Sequence, residues 1–454
     1  MNTVDERNVD VLIAGGGVAG SATAAALSQL GLNILIIEPD PDHGRRLAGE
    51  LIHPPGVDGL CQLGLMDPDA LGGTPVEGFA VFPFTQDEGK SAMCLPYGEV
   101  DGRKVCGRAI EHNSLKQHLL KTVQNFPGVS VWLNARVTEM QPESDRSYVA
   151  IVQHAEGECR VHARLIIGAD GPMSQLRKMV GITHATQRYS GMMGLEVDDT
   201  HLPHPGYGNI FLNPAGVSYA YGIAPGRARV MFEVLKGAHF RDSVREHLSL
   251  FPEAFRADIE QVLATEKTLS AANYCIVPAS SIKGNVALVG DARGCCHPLT
   301  ASGITAAVKD AMILRDSLKE NNLDVAAALR RYAIAGGRLQ LTRRTLAEEL
   351  REAFLAQTPE AALLNQCIFA YWRNSAKGRT SSMALLSTLD SSIFSLASQY
   401  GLVALQAFRL LPRWFRREGI LAWHRGVFKL LCKSLSFQHA ALSQRLKEYV
   451  AVAR

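Results

Sequence analysis

Apolar and polar positions change period several times along the chain, and each change marks a different layer. Val9 to Ala14 is a short, mostly apolar run closed at once by Gly15-Gly16-Gly17-Val18-Ala19-Gly20, which predicts a buried strand ending in a tight turn. Ser21 to Leu30 predicts a helix of small residues, and Gly31 to Ile37 leads into a second strand with Glu38 at its tip. The same design returns twice. Arg164 to Gly168 runs into Asp170-Gly171, and Val286 to Val289 runs into Gly290-Asp291, each followed by a helical stretch. From Gly303 to about Leu318 the apolar residues recur at helical spacing with alanine dominant. A further helix is expected to begin at Arg108, with that arginine in its first turn.

Between Gly191 and Val234 the period shortens to two, with turns at Asn213-Pro214-Ala215-Gly216 and Pro225-Gly226. This predicts an antiparallel sheet. Tyr219 and Tyr221 share one face by that spacing, so they are candidates for lining a substrate cavity; core packing is the other reading. Residues 76 to 106 alternate short apolar runs with Gly and Pro in the same manner. Beyond Leu323 the pattern is helical nearly to the end, with interruptions expected at Gly336-Gly337, Thr358-Pro359 and Leu411-Pro412.

Composition narrows the class. At 454 residues, 47% hydrophobic and 20% charged, the chain is long enough for two or three domains with a sizeable core. A net charge of +3 is too small to argue for nucleic acid. Nine cysteines without a Cys-x-x-Cys pair, and no signal peptide at the start, predict reduced thiols in a cytoplasmic protein. Cys295 and Cys296 sit in the Gly290 turn, either as small packing residues or in a thiol role.

Gly15-x-Gly17-x-x-Gly20 stands between a predicted strand and helix, with Glu38 at the next strand tip, which is the context a dinucleotide fingerprint requires. Gly17 lets backbone approach a pyrophosphate, and Glu38 would hold ribose hydroxyls while disfavouring a 2'-phosphate. The turn after the third strand, before a helix N-terminus, suits a phosphate or an electron-rich ring edge, and Asp291 at the strand's end can accept hydrogen bonds from a sugar hydroxyl. Arg45 and Arg46 lie in a turn-rich loop, either toward phosphates or solvated. Arg409 to Lys433 interleaves basic residues with Trp414, Phe415, Trp423 and Phe428. That segment is a candidate for peripheral membrane contact, with a solvated basic helix as the alternative.

The order of the Gly-rich loop, Asp170-Gly171 and Gly290-Asp291 resembles the class A flavoprotein monooxygenases, the para-hydroxybenzoate hydroxylase superfamily. Gly49-Glu50-Leu51 with Pro54-Pro55-Gly56, and Gly290-Asp291-Ala292 with His297-Pro298-Leu299-Thr300, look most like squalene epoxidases. Gly294-Cys295-Cys296 and Ala301-Ser302-Gly303 depart from that family's Asn-Met-Arg and glycine run. The resemblance implies an α/β fold: a Rossmann-like FAD-binding domain (1–75, 101–185 and 275–325), an inserted antiparallel-sheet substrate domain (76–100 and 186–274) and a helical C-terminal region (326–454). It implies FAD, reduced by NADPH or NADH, delivering one oxygen atom of O2 to a hydrophobic substrate. By motif position, Gly15, Gly17, Val18, Ala19 and Glu38 would hold the adenosine and pyrophosphate half, with Arg46 and Arg108 flanking the cofactor and Val137 by the adenine. Asp291 would bind the ribityl and pyrophosphate region, and Pro298, Gly303 and Ile304 would lie next to the isoalloxazine. His297 and the two tyrosines are weak candidates for a base. A flavin-dependent reductase of isoprenoid double bonds and a non-catalytic flavin-binding protein are the competing readings.

Overall fold

Five strands run parallel in the order Val129–Leu133, Ile34–Glu38, Asp5–Ala14, Gly157–Gly168 and Val286–Leu288. Where both faces of this sheet are covered, at residues 11–14, 34–37, 165–167 and 286–288, the side chains are apolar. Helices Val18–Ser28, His112–Val123 and Gly303–Glu320 pack on one face around Ile13, Ile36, Leu119 and Val308. On the other, the meander Arg136–Ser144 and Ser147–His154 extends the sheet antiparallel from Gly157–Gly168 and encloses Leu12, Leu35, Val152 and Ile166. The computed structural model describes residues 5–42, 47–67, 73–84, 92–100, 102–144, 147–265, 268–417 and 419–452.

The second sheet is seven-stranded, in the order Leu269–Pro278, His184–Val197, Arg227–Leu235, Ser218–Ala224, Gly208–Phe211, Gly78–Phe82 and Met93–Pro96. Its pairings are antiparallel except for Gly208–Phe211 beside Gly78–Phe82. Alternation sorts its residues cleanly. Phe211, Ala220, Val230 and Phe232 face the helices Phe240–Leu248 and Glu253–Thr265, while Ile210, Tyr219, Tyr221 and Ile223 face the C-terminal helices.

That helical layer departs from the sequence expectation in two places. Helix Val325–Leu355 runs unbroken for 31 residues through Gly336-Gly337. A Cβ at Gly336 would lie 1.6 Å from Arg293 Nη1, so this glycine makes room for a buried arginine at a helix cost of only about 1 kcal/mol. Pro412 lies inside the helix Gln406–Arg417, where the burial of Ala407 and Trp414 offsets the lost backbone bond. The break at Thr358-Pro359 is present, with Thr358 capping Pro359–Asn374.

Arg108 is a third difference. It stands in the strand Gly107–Ala109, opposite Ile52 and Pro75 in a small three-stranded sheet. The helix begins at His112 because Glu111 accepts hydrogen bonds from the N–H groups of Asn113 and Ser114 and caps it.

Candidate functional site

The tips of three parallel strands meet. Gly15 N–H donates to Ile37 O at 2.8 Å, Ala169 N–H to Ala14 O at 2.8 Å, and Val289 N–H to Gly168 O at 3.0 Å. The Gly-rich turn, the Asp170 loop and the Gly290 turn therefore share one rim. Gly15 takes φ +106°, and a Cβ there would meet Ala169 O at 2.6 Å; a Cβ on Gly20 would meet Gly15 O at 1.9 Å. Gly290, at φ +57°, makes the same allowance for Ala19, whose Cβ would lie 2.8 Å away.

Beside these closures the backbone is open. A Cβ on Gly17 or Gly303 would meet nothing within 4 Å. Gly17 caps Val18–Ser28 without a side-chain hydrogen bond, so the helix presents unsatisfied N–H groups and its positive end to that space. Asp291, Pro298 and Gly303 are exposed in a turn otherwise largely buried, with Ile304 buried behind them. Asp291 is reached by solvent yet surrounded by protein. Burial raises its carboxyl pKa above the ordinary range, with Arg343 and His112 pulling the other way. An accessible surface with a desolvated carboxyl describes the wall of a deep cleft. Free N–H groups on one side, an acid on the other and open backbone between them fit the phosphates and polyol of FAD.

Glu38 is drawn inward. Its oxygens accept from Gly16 N–H at 2.6 Å, Asp40 N–H at 3.0 Å and Lys116 Nζ at 3.1 Å. Val137 lies next to this tip, since Ala135 N–H donates to Glu38 O. Gly15, Gly17, Val18, Ala19, Glu38 and Val137 are thus one group, and Asp291, Pro298, Gly303 and Ile304 another across the rim. Arg46 lies outside the described residues, and Arg108 is half-buried on its strand.

The Gly290 turn is held from below by buried polar contacts. Asp310 accepts from Gly290 N–H at 3.0 Å and from Arg293 Nη1 at 2.7 Å. Arg177, fully buried, donates to Ala292 O and Pro172 O at 2.8 Å each, tying the Asp170 loop to the turn. His297 has both ring nitrogens occupied: Nδ1 accepts from Leu299 N–H at 3.3 Å, and Nε2 donates to Glu233 Oε1 at 2.9 Å. Burial opposes the charge on Glu233, but hydrogen bonds from His297, Ser190 and Val217 outweigh it and hold its carboxyl below the usual value. This imidazole positions the turn; it has no free lone pair for a proton. Tyr221 donates to Glu50 Oε2 at 3.2 Å, and Tyr219 has a buried hydroxyl without a partner.

Sequence reasoning missed Glu50, Arg229, Glu233 and Arg343 as site residues. Arg229 binds Glu50 through Nη2 at 2.8 Å and Nε at 3.0 Å, both residues fully buried. Arg343, from Val325–Leu355, donates to Ser302 Oγ at 3.0 Å at the start of Gly303–Glu320. The available signal was charge at positions 229 and 233 of a strand whose neighbours are apolar. Arg343 carried none, because its partner lies 41 residues away in another layer.

The fold is shared with solved flavin enzymes. The p-nitrophenol 4-monooxygenase PnpA of Pseudomonas putida superposes with a TM-score of 0.69 at 18% identity, over 85% of this chain and 98% of that one. The flavin-dependent brominase Bmp2 gives 0.68 at 16% identity, over 84% and 94%. A model for FAD-dependent oxidoreductases matches residues 10–195, and a squalene epoxidase family model matches residues 162–425, so the protein is an FAD-dependent monooxygenase. The second of these models is the longer match. The squalene epoxidase model spans more than half of the chain, which therefore belongs to the squalene epoxidase family. Among curated relatives, the squalene monooxygenase of Mus musculus is 28% identical over 88% of this chain and 71% of its own. The squalene epoxidase ERG1 of Candida albicans is 24% identical over 92% and 94%, and the ubiquinone hydroxylase UbiL of Rhodospirillum rubrum is 27% identical over 69% and 73%.

Proposed function

We propose that this monooxygenase places one oxygen atom from O2 on a carbon–carbon double bond of a lipid-like, isoprenoid-type substrate. A dry cavity carries the reading. It lies between the second sheet and the C-terminal helices, and every residue lining it is apolar, among them Phe79, Ile210, Leu299, Leu350, Phe354 and Trp372. Leu299 belongs to the Pro298–Thr300 turn, so a flavin ring held against Pro298 would lie beside the cavity. Its volume is about 10 Å³, room for roughly one water molecule. Substrate admission therefore requires the helical layer to move away from the sheet.

Bound FAD, reduced by NAD(P)H, supplies the activated oxygen, and the chain supplies positioning and dryness. Gly17, Val18 and Ala19 would direct helix N–H groups to the pyrophosphate, Glu38 and Val137 would frame the adenosine end, and Asp291 would hold the polyol. Pro298, Gly303 and Ile304 would lie against the isoalloxazine, and Arg343 would add positive charge there. Epoxidation of an alkene needs no side-chain base, in keeping with a His297 whose nitrogens are both engaged. The test is NAD(P)H oxidation by the FAD-loaded protein. Polyisoprenoid alkenes are expected to stimulate it several-fold; stimulation by small phenols alone would contradict the reading.

Membrane contact belongs to the same proposal. Among the described residues no helix is long and apolar enough to cross a membrane. Trp414 and Trp423 are buried, and Lys429 and Lys433 pair inward with Glu352 and Glu349, so these four do not form a lipid-facing surface. Leu405, Phe408, Leu421 (72% exposed) and Phe428 (69%) remain outward, with Arg409 exposed nearby. An apolar surface with basic neighbours suits an anionic bilayer. Flotation with anionic vesicles is expected for the whole chain and is expected to be lost in Leu421→Glu/Phe428→Glu; unchanged flotation would remove this part.

A further inference from the structure

The dry cavity borders an unmet polar demand. Tyr219 stands on the face of the second sheet that looks toward the helical layer, directly opposite Ile210 in the strand register, and Ile210 lines the cavity. The tyrosine is only 8% exposed, and its hydroxyl has no hydrogen-bond partner. Arg351 follows Leu350 on the long helix, and Leu350 and Phe354 both line the cavity. Its Nε is likewise buried and unpartnered, while its guanidinium stacks 4.7 Å over the Tyr189 ring. Tyr189 packs edge-on against His297 at 5.5 Å, His297 binds Glu233 at 2.9 Å, and Glu233 accepts from the N–H of Val217, two residues before Tyr219, so Arg351 and Tyr219 border the same buried carboxylate.

A buried donor left unmet is costly, and native proteins leave few of them. The carboxylate beside them is already used: Glu233 takes Ser190 and His297 on one oxygen and Val217 N–H on the other. Two donors, a phenol O–H and a guanidinium N–H, therefore point to an acceptor from outside the chain. Glu233 also acts on Tyr219, and its negative charge disfavours a second carboxylate there. A neutral oxygen fits.

We propose that Tyr219 and Arg351 form a polar subsite at the edge of the apolar cavity, and that the substrate is a hydrocarbon-rich molecule carrying one hydroxyl or carbonyl oxygen, which these two donors bind. This rests on the reading of a lipid-like substrate and sharpens it. Sites built to bind an oxygen discriminate strongly against the analogue that lacks it. A pure hydrocarbon leaves both donors unmet.

The experiment compares farnesol with farnesene, the alcohol and the hydrocarbon on the same fifteen-carbon skeleton, by calorimetric titration of the FAD-loaded protein. The wild type is expected to bind farnesol at least about tenfold more tightly, the equivalent of one unmet hydrogen bond. Tyr219→Phe and Arg351→Met are each expected to bring the farnesol-to-farnesene ratio close to one. Tyr219→Phe is also expected to leave the thermal midpoint of the substrate-free protein unchanged or raised, because it removes an unpaired buried hydroxyl. A lowered midpoint would instead assign the hydroxyl a structural role and overturn the inference. Equal wild-type binding of the two probes, or a ratio preserved in both variants, overturns it while the lipid reading stands. If neither probe binds, both fall.

Discussion

His53 Nε2 donates to the carbonyl of Thr300 at 2.7 Å, across 247 residues of sequence. Tyr97 donates its hydroxyl to Nδ1 of the same ring at 2.6 Å. Because a carbonyl can only accept, the imidazole is fixed as the neutral Nε2–H form. The contact clamps the Pro54–Gln62 helix to the turn that carries Pro298.

Burial lowers the His53 pKa to about 4 from an ordinary 6.5, with the Thr300 bond opposing the shift and Arg343 adding to it. The unfolded chain binds this proton near pH 6.5 and the folded chain does not until about pH 4. Stability from the neutral ring is therefore complete above pH 6.5 and is lost as pH falls through that window. The full loss is on the order of 3 kcal/mol. Urea unfolding at a series of pH values is expected to show this decline, and His53→Gln is expected to flatten it between pH 6.5 and 4.

Ala301 sits at φ +49°, a left-handed conformation that costs an alanine about 1 kcal/mol or more. Ala301→Gly relieves that strain while adding freedom to the unfolded chain, so its midpoint is expected to stay within about 0.5 kcal/mol of wild type. Ala306→Gly, inside Gly303–Glu320, is expected to cost about 1 kcal/mol. Denaturant midpoints of the two variants check the contrast.

Glu50 and Arg229 form a fully buried ion pair. Removing Glu50 leaves the buried Arg229 with only Glu196, 3.2 Å away, and Glu50→Leu is expected to destabilise by about 3 kcal/mol, with Arg229→Met as the second single variant. The double substitution Glu50→Leu/Arg229→Met removes both charges and is expected to recover more than half of that loss. Chemical unfolding of the four proteins in the cycle checks it.

Asp291 is the acid of the cleft wall. Asp291→Ala is expected to weaken FAD retention by about 1.5–3 kcal/mol, roughly 10- to 150-fold, measured by fluorescence of released flavin. Affinity equal to wild type would displace Asp291 from the assigned position.

The three strand tips were legible because each combines a β run, a glycine at a positive φ and a helix start within a few residues, all of it local. Period-two alternation likewise announced the antiparallel sheet and put Tyr219 and Tyr221 on one face. The buried polar wiring was not legible in the same way. Arg229 finds Glu50 across 179 residues and His53 finds Thr300 across 247, and no local pattern encodes such pairings. Gly336-Gly337 and Pro412 misled for the same reason: packing against Arg293 and around Trp414 outweighs a local helix penalty. Arg108 was misplaced because Glu111, three residues later, is the true cap.

An oxygen atom from O2 is expected to reach a hydrophobic substrate at the rim formed by these strand tips. Turnover of the FAD-loaded protein with NAD(P)H and farnesol under ¹⁸O2, followed by mass spectrometry of the product, tests it most directly. One ¹⁸O atom per product molecule is the predicted result. Product labelled only from H2¹⁸O, or turnover that proceeds without O2, would show that the enzyme is not a monooxygenase toward this substrate class.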